Sequence, residues 1–264
     1  MDFQLKGKRA LVTGSTAGIG WATARELAAE GTHVILNGRD SARLASAVER
    51  IQAEMPDATI DGVQADLSSA AGCQRLLDAA GEVDILVNNL GIFEPKAFEQ
   101  ITDADWTRFF EVNVLSGVRL SRDHLPRMKA RGWGRIVFIS SESGICPPAD
   151  MVHYGMSKSA QLSVSRGLAE TCVGTGVTVN AVLPGPTRTE GVGEFFAKLA
   201  RDAGQTLAQA EHDFFKFARP TSILQRFIEP TEVAAMVTYV CSPRAAATNG
   251  AALRVEGGVV RSLT

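Results

Sequence analysis

RALVTGSTAGIG, residues 9–20, decides the fold: an apolar run passes without a linker into a turn with glycines at 14, 18 and 20, and then into WATARELAAEG (21–31), rich in helix formers. Glycines at such a turn let the backbone bend sharply and approach a ligand, and free N–H groups at the helix start attract an anion such as a pyrophosphate. The spacing of Gly14, Gly18 and Gly20 is G-x-x-x-G-x-G, not the general fingerprint G-x-G-x-x-G. By itself the turn could be only a tight strand-to-helix connection. Its place directly after the first strand favours a nucleotide site.

Outward from this turn, short β-branched runs alternate with longer stretches of helical periodicity. The strands are expected at RALVT (9–13), HVILN (33–37), TIDGVQA (59–65), VDILVNN (83–89), RIVFIS (135–140), VTVNAVL (177–183) and AALRVE (251–256). Alternation of this kind predicts an α/β, Rossmann-type doubly wound fold of about seven parallel strands with helices on both faces. No Pro/Gly/Ser-rich boundary, low-complexity tract or repeat interrupts it, so residues 1–264 are read as a single domain. Residues 184–229, rich in Gly, Pro and Phe, follow the C-terminal end of the sixth strand, and are expected to be either a substrate cover or an interface insertion. Phe195, Phe196, Phe214, Phe215 and Phe217 fall within it, out of twelve phenylalanines in the chain.

Composition narrows the partners. A chain of 264 residues, 45% apolar and 21% charged, can bury a large core. A net charge of -2 with interspersed signs offers no basic field for nucleic acid and no polybasic patch for a membrane. Cys73, Cys146, Cys172 and Cys241 are widely separated, with no CxxC and no histidine cluster, so buried free thiols and no metal site are expected. MDFQLKGKRALVTG lacks the apolar region of a signal peptide and no run is long enough to span a bilayer, which makes the cytoplasm the expected location.

YGMSK (154–158) places a phenol and an ammonium four residues apart, on one helical face. Such a pair alone could merely decorate an exposed helix. It stands, however, in a chain that also contains TGSTAGIG (13–20), NNLG (88–91), EVNVLS with Asn113, the serine pair 140–141, and LPGPTRT (183–189). In this order the motifs resemble those of the classical short-chain dehydrogenases/reductases across essentially the whole chain. The resemblance implies a catalytic tetrad of Asn113, Ser141, Tyr154 and Lys158. Ser141 would orient the substrate carbonyl, Lys158 would bond the nicotinamide ribose, and Asn113 would hold a water linking Lys158 to solvent. It also implies cofactor contacts from Gly14, Thr16, Gly18, Ile19, Gly20, Asp66, Leu67, Asn89, Gly91, Pro184, Gly185, Thr187 and Thr189, besides Tyr154 and Lys158. Leu90 stands where the family usually has alanine. Relatives commonly form tetramers or dimers through the helices here at about 103–130 and 152–173, so a homo-oligomer, a homotetramer or a dimer, is expected.

The chemistry can also be argued directly. Moving a hydride between a carbinol carbon and a nicotinamide requires moving a proton on the carbinol oxygen, so one group must both donate and accept there. Tyr154 suits that role if Lys158 lowers its pKa. His153, one residue away, lies on a different face and is read as a neighbouring or surface residue. At the end of the second strand Gly38 occupies the position where NAD-preferring relatives carry Asp, and Arg39 follows it. This favours NADP(H), with NAD(H) possible, because Arg39 could instead stack on adenine.

The expected function is therefore hydride transfer between NADP(H) and a small-molecule ketone or secondary alcohol. A 3-oxoacyl reductase and an NAD-dependent sugar/polyol dehydrogenase are the enzymatic alternatives. A dinucleotide-binding sensor without turnover is the alternative of another class.

Overall fold

Residues 2–263 are described by a computed structural model, apart from the side chains of Phe195 and Leu199. Seven strands, β1 (Arg9–Val12), β2 (His33–Gly38), β3 (Ile60–Gln64), β4 (Ile85–Asn88), β5 (Gly134–Ile139), β6 (Val177–Pro184) and β7 (Ala252–Val255), form one parallel sheet in the order β3-β2-β1-β4-β5-β6-β7. The chain starts at the centre, winds outward through β2 and β3, then crosses back so that β4 pairs with β1 in the register Ala10↔Ile85, Leu11↔Leu86, Val12↔Val87. The connections after β1 and β4 thus diverge to opposite sides, leaving a crevice at the C-terminal ends of these two strands.

The strands are apolar throughout because helices cover both faces, and alternate residues serve opposite layers. Ala10, Val12, Val34, Leu36, Ile85, Val87, Val137 and Ile139 pack with residues of α1 (Gly18–Ala29), α2 (Ser41–Glu54) and α9 (Pro230–Cys241). Leu11, Ile35, Leu86, Ile136 and Phe138 face the other way, against α3 (Ala70–Ala80), α5 (Ser116–Arg131) and α6 (Val152–Glu170). Asp40 caps α2, Ser69 caps α3, and Thr102 with Asp105 forms a capping box on α4 (Asp103–Phe110).

Two elements differ from the sequence reading. The helix expected at about 103–130 is α4 and α5 joined by a π-helical turn, Glu111–Leu115. Such an extra residue in a turn re-aims side chains, and Asn113 lies in its middle. The segment after β6 carries α7 (Glu190–Asp202), α8 (Leu207–Asp213) and a second π-helical turn, Phe214–Ala218. Of its described phenylalanine side chains, Phe196, Phe214 and Phe215 pack on one another and on Phe227, with ring centroids 5.0 to 5.5 Å apart, while Phe195 lies outside the described side chains. Burying them together gives this segment its own small core. Phe217, 70% exposed, stays outside it. Of the cysteines, Cys73, Cys172 and Cys241 are buried as expected, whereas Cys146 is exposed, because it follows the short 3-10 turn Glu142–Gly144 instead of entering a strand or helix.

Two glycines test the packing in opposite directions. A Cβ on Gly20 would lie 2.4 Å from Asn89 Nδ2 and 2.6 Å from the Gly14 carbonyl oxygen, whereas a Cβ on Gly167, exposed in α6, would meet nothing within 4 Å. Gly20→Ala should therefore destabilise by about 1–3 kcal/mol through overpacking. Gly167→Ala should stabilise by about 0.5–1 kcal/mol through helix propensity. Urea unfolding of the two variants reads both signs, and a neutral Gly20→Ala would contradict this packing.

Candidate active site

The crevice floor is made by hydrogen bonds that tie the glycine turn to its neighbours. Thr13 Oγ1 accepts from the amides of Asn89 (2.9 Å) and Leu90 (3.0 Å), while Asn89 Nδ2 donates to the carbonyls of Thr13 (2.9 Å) and Gly14 (3.0 Å). On the other side Ser15 Oγ accepts from the Asn37 amide, and Asn37 Nδ2 donates to Val63 and Ala65. Gly14 and Gly18 have φ of 59° and 57°, a left-handed conformation that favours glycine. No side chain caps α1 at Ala17 and its first turn contains no acidic residue, so no side chain of the turn offsets the partial positive charge of the helix start.

The other expected cofactor positions border this turn. Thr16 presses on Gly38, where a Cβ would come 2.4 Å from Thr16 Cγ2. Thr189 lies over Gly18, 3.1 Å from where its Cβ would be. The loop from Pro184 to Thr189 is held by Gly185, whose amide donates to Val255, and by Thr187, buried and bonded to the Gly185 carbonyl. Ile19, in the first turn of α1, packs partly buried against the core. Arg39 is exposed at the end of β2, and Asp66 accepts from the Ser68 amide, which holds its carboxyl below the usual range with smaller help from Arg39. The Leu67 side chain is 1% exposed and packs in the core against α3.

The four residues of the expected tetrad meet at the ends of β4 and β5. Ser141 follows β5 in an extended conformation, and Tyr154 and Lys158 occupy adjacent turns of α6. Lys158 Nζ lies 3.3 Å from where a Cβ on Gly91 would stand, with Asn113 Oδ1 at 3.7 Å. Asn113 bonds both polar groups of Ile92, and its Nδ2 donates to Ser157 Oγ at 2.9 Å. Lys158 Nζ donates to the Ile139 carbonyl (2.9 Å) and to Gln161 Oε1 (3.1 Å), while Gln161 Nε2 donates to the Asn113 carbonyl at 2.6 Å. An amide side chain thus bridges Lys158 and the Asn113 carbonyl.

The electrostatics also differ from the sequence expectation. Burial raises the Tyr154 phenol above its ordinary value; a hydrogen bond with Ser141 and the charge of Arg219 oppose this, while Glu142 reinforces it. Burial pushes Lys158 down to about 7. Spacing placed a cation near the phenol, but its carbonyl and amide partners hold the Lys158 ammonium 5.6 Å from the Tyr154 ring centre. The groups that shift the Tyr154 phenol are thus Ser141, Glu142 and Arg219, with burial the largest cause.

Sequence reasoning missed Gln161, although its position three residues after Lys158 on one helix puts the two on one face. It also missed Asn37, and Glu142, whose Oε2 accepts from the Ser141 and Ser143 hydroxyls and whose Oε1 accepts from Arg219. His153 is not a surface residue: it is fully buried, its ring centre 4.0 Å from that of Phe109, and burial lowers its pKa.

Comparison with known proteins agrees with this arrangement. Residues 8–200 match the family model described as short chain dehydrogenase. An uncharacterized oxidoreductase of Bacillus subtilis, YvaG, is 49% identical over 100% of both chains. A D-beta-hydroxybutyrate dehydrogenase of Cupriavidus necator is 34% identical over 97% of this chain and 99% of its own. Among solved structures, L-sorbose reductase from Gluconobacter frateurii, complexed with NADPH and L-sorbose, superposes with a TM-score of 0.93 at 30% identity over 100% of both chains. With its seven-stranded parallel sheet, its glycine turn at the crevice and a family match over most of its length, the chain belongs to the short-chain dehydrogenase family of oxidoreductases.

Proposed function

We propose that this chain transfers a hydride between NADP(H) and a ketone or secondary alcohol, with Tyr154 as general acid/base. The observation that carries the reading is the convergence of Ser141, Tyr154, Lys158 and Asn113 beside the glycine turn. The residues present fit a dinucleotide: the turn is shaped by two left-handed glycines and the start of α1 is uncapped. Gly14, Thr16, Gly18, Ile19 and Gly20 would hold the pyrophosphate, Asp66 the adenosine end, and Asn89, Gly91, Pro184, Gly185, Thr187 and Thr189 the nicotinamide end. A side chain at position 38 would collide with Thr16, which disfavours an acidic partner for a ribose hydroxyl and leaves Arg39 to meet a 2′-phosphate. The NADPH held by the Gluconobacter relative supports the same preference.

The bound cofactor supplies or accepts the hydride, and the chain manages the proton. A phenol whose pKa is raised keeps its proton through the neutral range, so Tyr154 is set to donate to a carbonyl oxygen. Ser141, in contact with that phenol, positions the oxygen, and Lys158, titrating at about 7, can return a proton at neutral pH.

A panel of ketoses, 3-oxoacyl thioesters and simple ketones with NADPH and NADH identifies the substrate class. Tyr154→Phe should lower kcat for the best substrate by at least about 100-fold, with NADPH binding by fluorescence unchanged; wild-type turnover by this variant would remove the acid/base role. Arg39→Ala should raise KM for NADPH roughly tenfold or more, the loss of a charged hydrogen bond, and leave KM for NADH nearly the same. Equal effects on both would exclude the phosphate contact. As pH rises from about 7 towards the ordinary lysine value of 10.5, the folded chain releases the Lys158 proton while the unfolded chain keeps its own, so wild type gains stability over that window. The stability gap between Lys158→Met and wild type should therefore shift in favour of wild type between pH of about 7 and about 9. A gap constant across denaturant melts at those two values would contradict the neutral, buried lysine.

A further inference from the structure

Glu142, directly after Ser141, is buried to 4% exposure. Its Oε2 accepts from the Ser141 hydroxyl, from Ser143 Oγ at 2.8 Å and from the Ser143 amide at 2.6 Å. Its Oε1 accepts from Arg219 Nε at 3.0 Å. A buried carboxylate with this many donors is fully satisfied, and losing one partner would leave a charge in the interior. Arg219 comes from elsewhere in the chain: it ends the π-helical turn Phe214–Ala218, lies over the Phe214 ring at 5.7 Å and donates from Nη1 to the Ala218 carbonyl. One carboxylate therefore joins the hydroxyl of Ser141 to the separately packed phenylalanine cluster of residues 190–228.

The Ser141 hydroxyl has a single proton, and a carboxylate can only accept it. With that proton on Glu142, the Ser141 oxygen accepts from the Ser143 amide at 3.1 Å, so the carboxylate and the amide together fix how the hydroxyl is turned. We propose that Glu142 is a positioning residue: it sets the direction of the Ser141 hydroxyl and, through Arg219, makes that direction depend on the seating of segment 190–228. The effect on turnover rests on the function proposed above; the tether between Glu142 and the segment does not.

The experiment has two arms. In the first, a double-mutant cycle pairs Glu142→Gln with Ser141→Ala, using NADPH and the best carbonyl substrate. Glu142→Gln should lower kcat by about tenfold or more with KM little changed, and should add nothing in the Ser141→Ala background, as for residues that act as a unit. Arg219→Met should show a similar loss, and Arg219→Lys, which keeps the charge, should recover most of the rate. Additive losses, or full kcat in Glu142→Gln, would overturn the positioning role. In the second arm, hydrogen exchange of the cofactor-free chain is followed at residues 214–222. Glu142→Gln and Arg219→Met should each speed exchange there, and unchanged exchange in both would overturn the tether. A wild-type chain with no turnover over the whole panel would instead refute the proposed function, and the exchange arm would still decide the tether.

Discussion

The lateral join between β1 and β4 is the constraint on which the site depends. Two parallel strands that leave the sheet in opposite directions expose their last carbonyls and amides, which must be paired if they are to be buried. Thr13 and Asn89 do this for each other: a hydroxyl takes the two amides that follow β4, and an amide side chain takes the two carbonyls that end β1. The turn at Gly14 is thereby held in a left-handed conformation against Leu90, and the next residue, Gly91, lies against Lys158. Neither a larger residue at Gly20 nor a shift of Asn89 is compatible with this join, since the two occupy one space.

Burial governs the chemistry at the other end of the crevice. Withdrawing Tyr154 and Lys158 from water favours the neutral form of each, raising the phenol and lowering the ammonium. Their proximity therefore does not act as it would on an exposed helix, where a cation would draw the phenol down. One interior pair of charges persists there, Glu142 with Arg219 beneath the segment after β6, both largely shielded from solvent. Breaking such a pair costs more than replacing it outright, because the remaining partner is stranded in a medium that solvates it poorly.

The segment after β6 follows the same logic on a smaller scale. Phe196, Phe214, Phe215 and Phe227 pack on one another and give it a small core of its own, while Phe217 stays exposed. Polar ties fasten it to the rest: Arg188 reaches Glu211 at 3.0 Å and Glu229 at 3.1 Å, and Arg219 reaches Glu142. Exposed ties of the first kind are worth little, whereas the buried one can transmit the position of the segment to Ser141.

The sheet, its parallel sense and the covering helices were legible in the order of β-branched and helical runs, because strand and helix periods are local and strands buried on both faces are apolar throughout. The glycine turn, Ser141, Tyr154, Lys158 and Asn113 were legible too, since each belongs to a short motif at a defined place in that order. The strand order, and hence the crevice, was decided by the tertiary structure, as were the burial of Leu67 and the mutual packing of Phe196, Phe214, Phe215 and Phe227. So were the bridge through Gln161, the burial that reverses the expected shift of Tyr154, and the contact of Glu142 with a residue 77 positions away. These depend on which groups are removed from water together, and desolvation is a property of the assembled interior that no local spacing encodes.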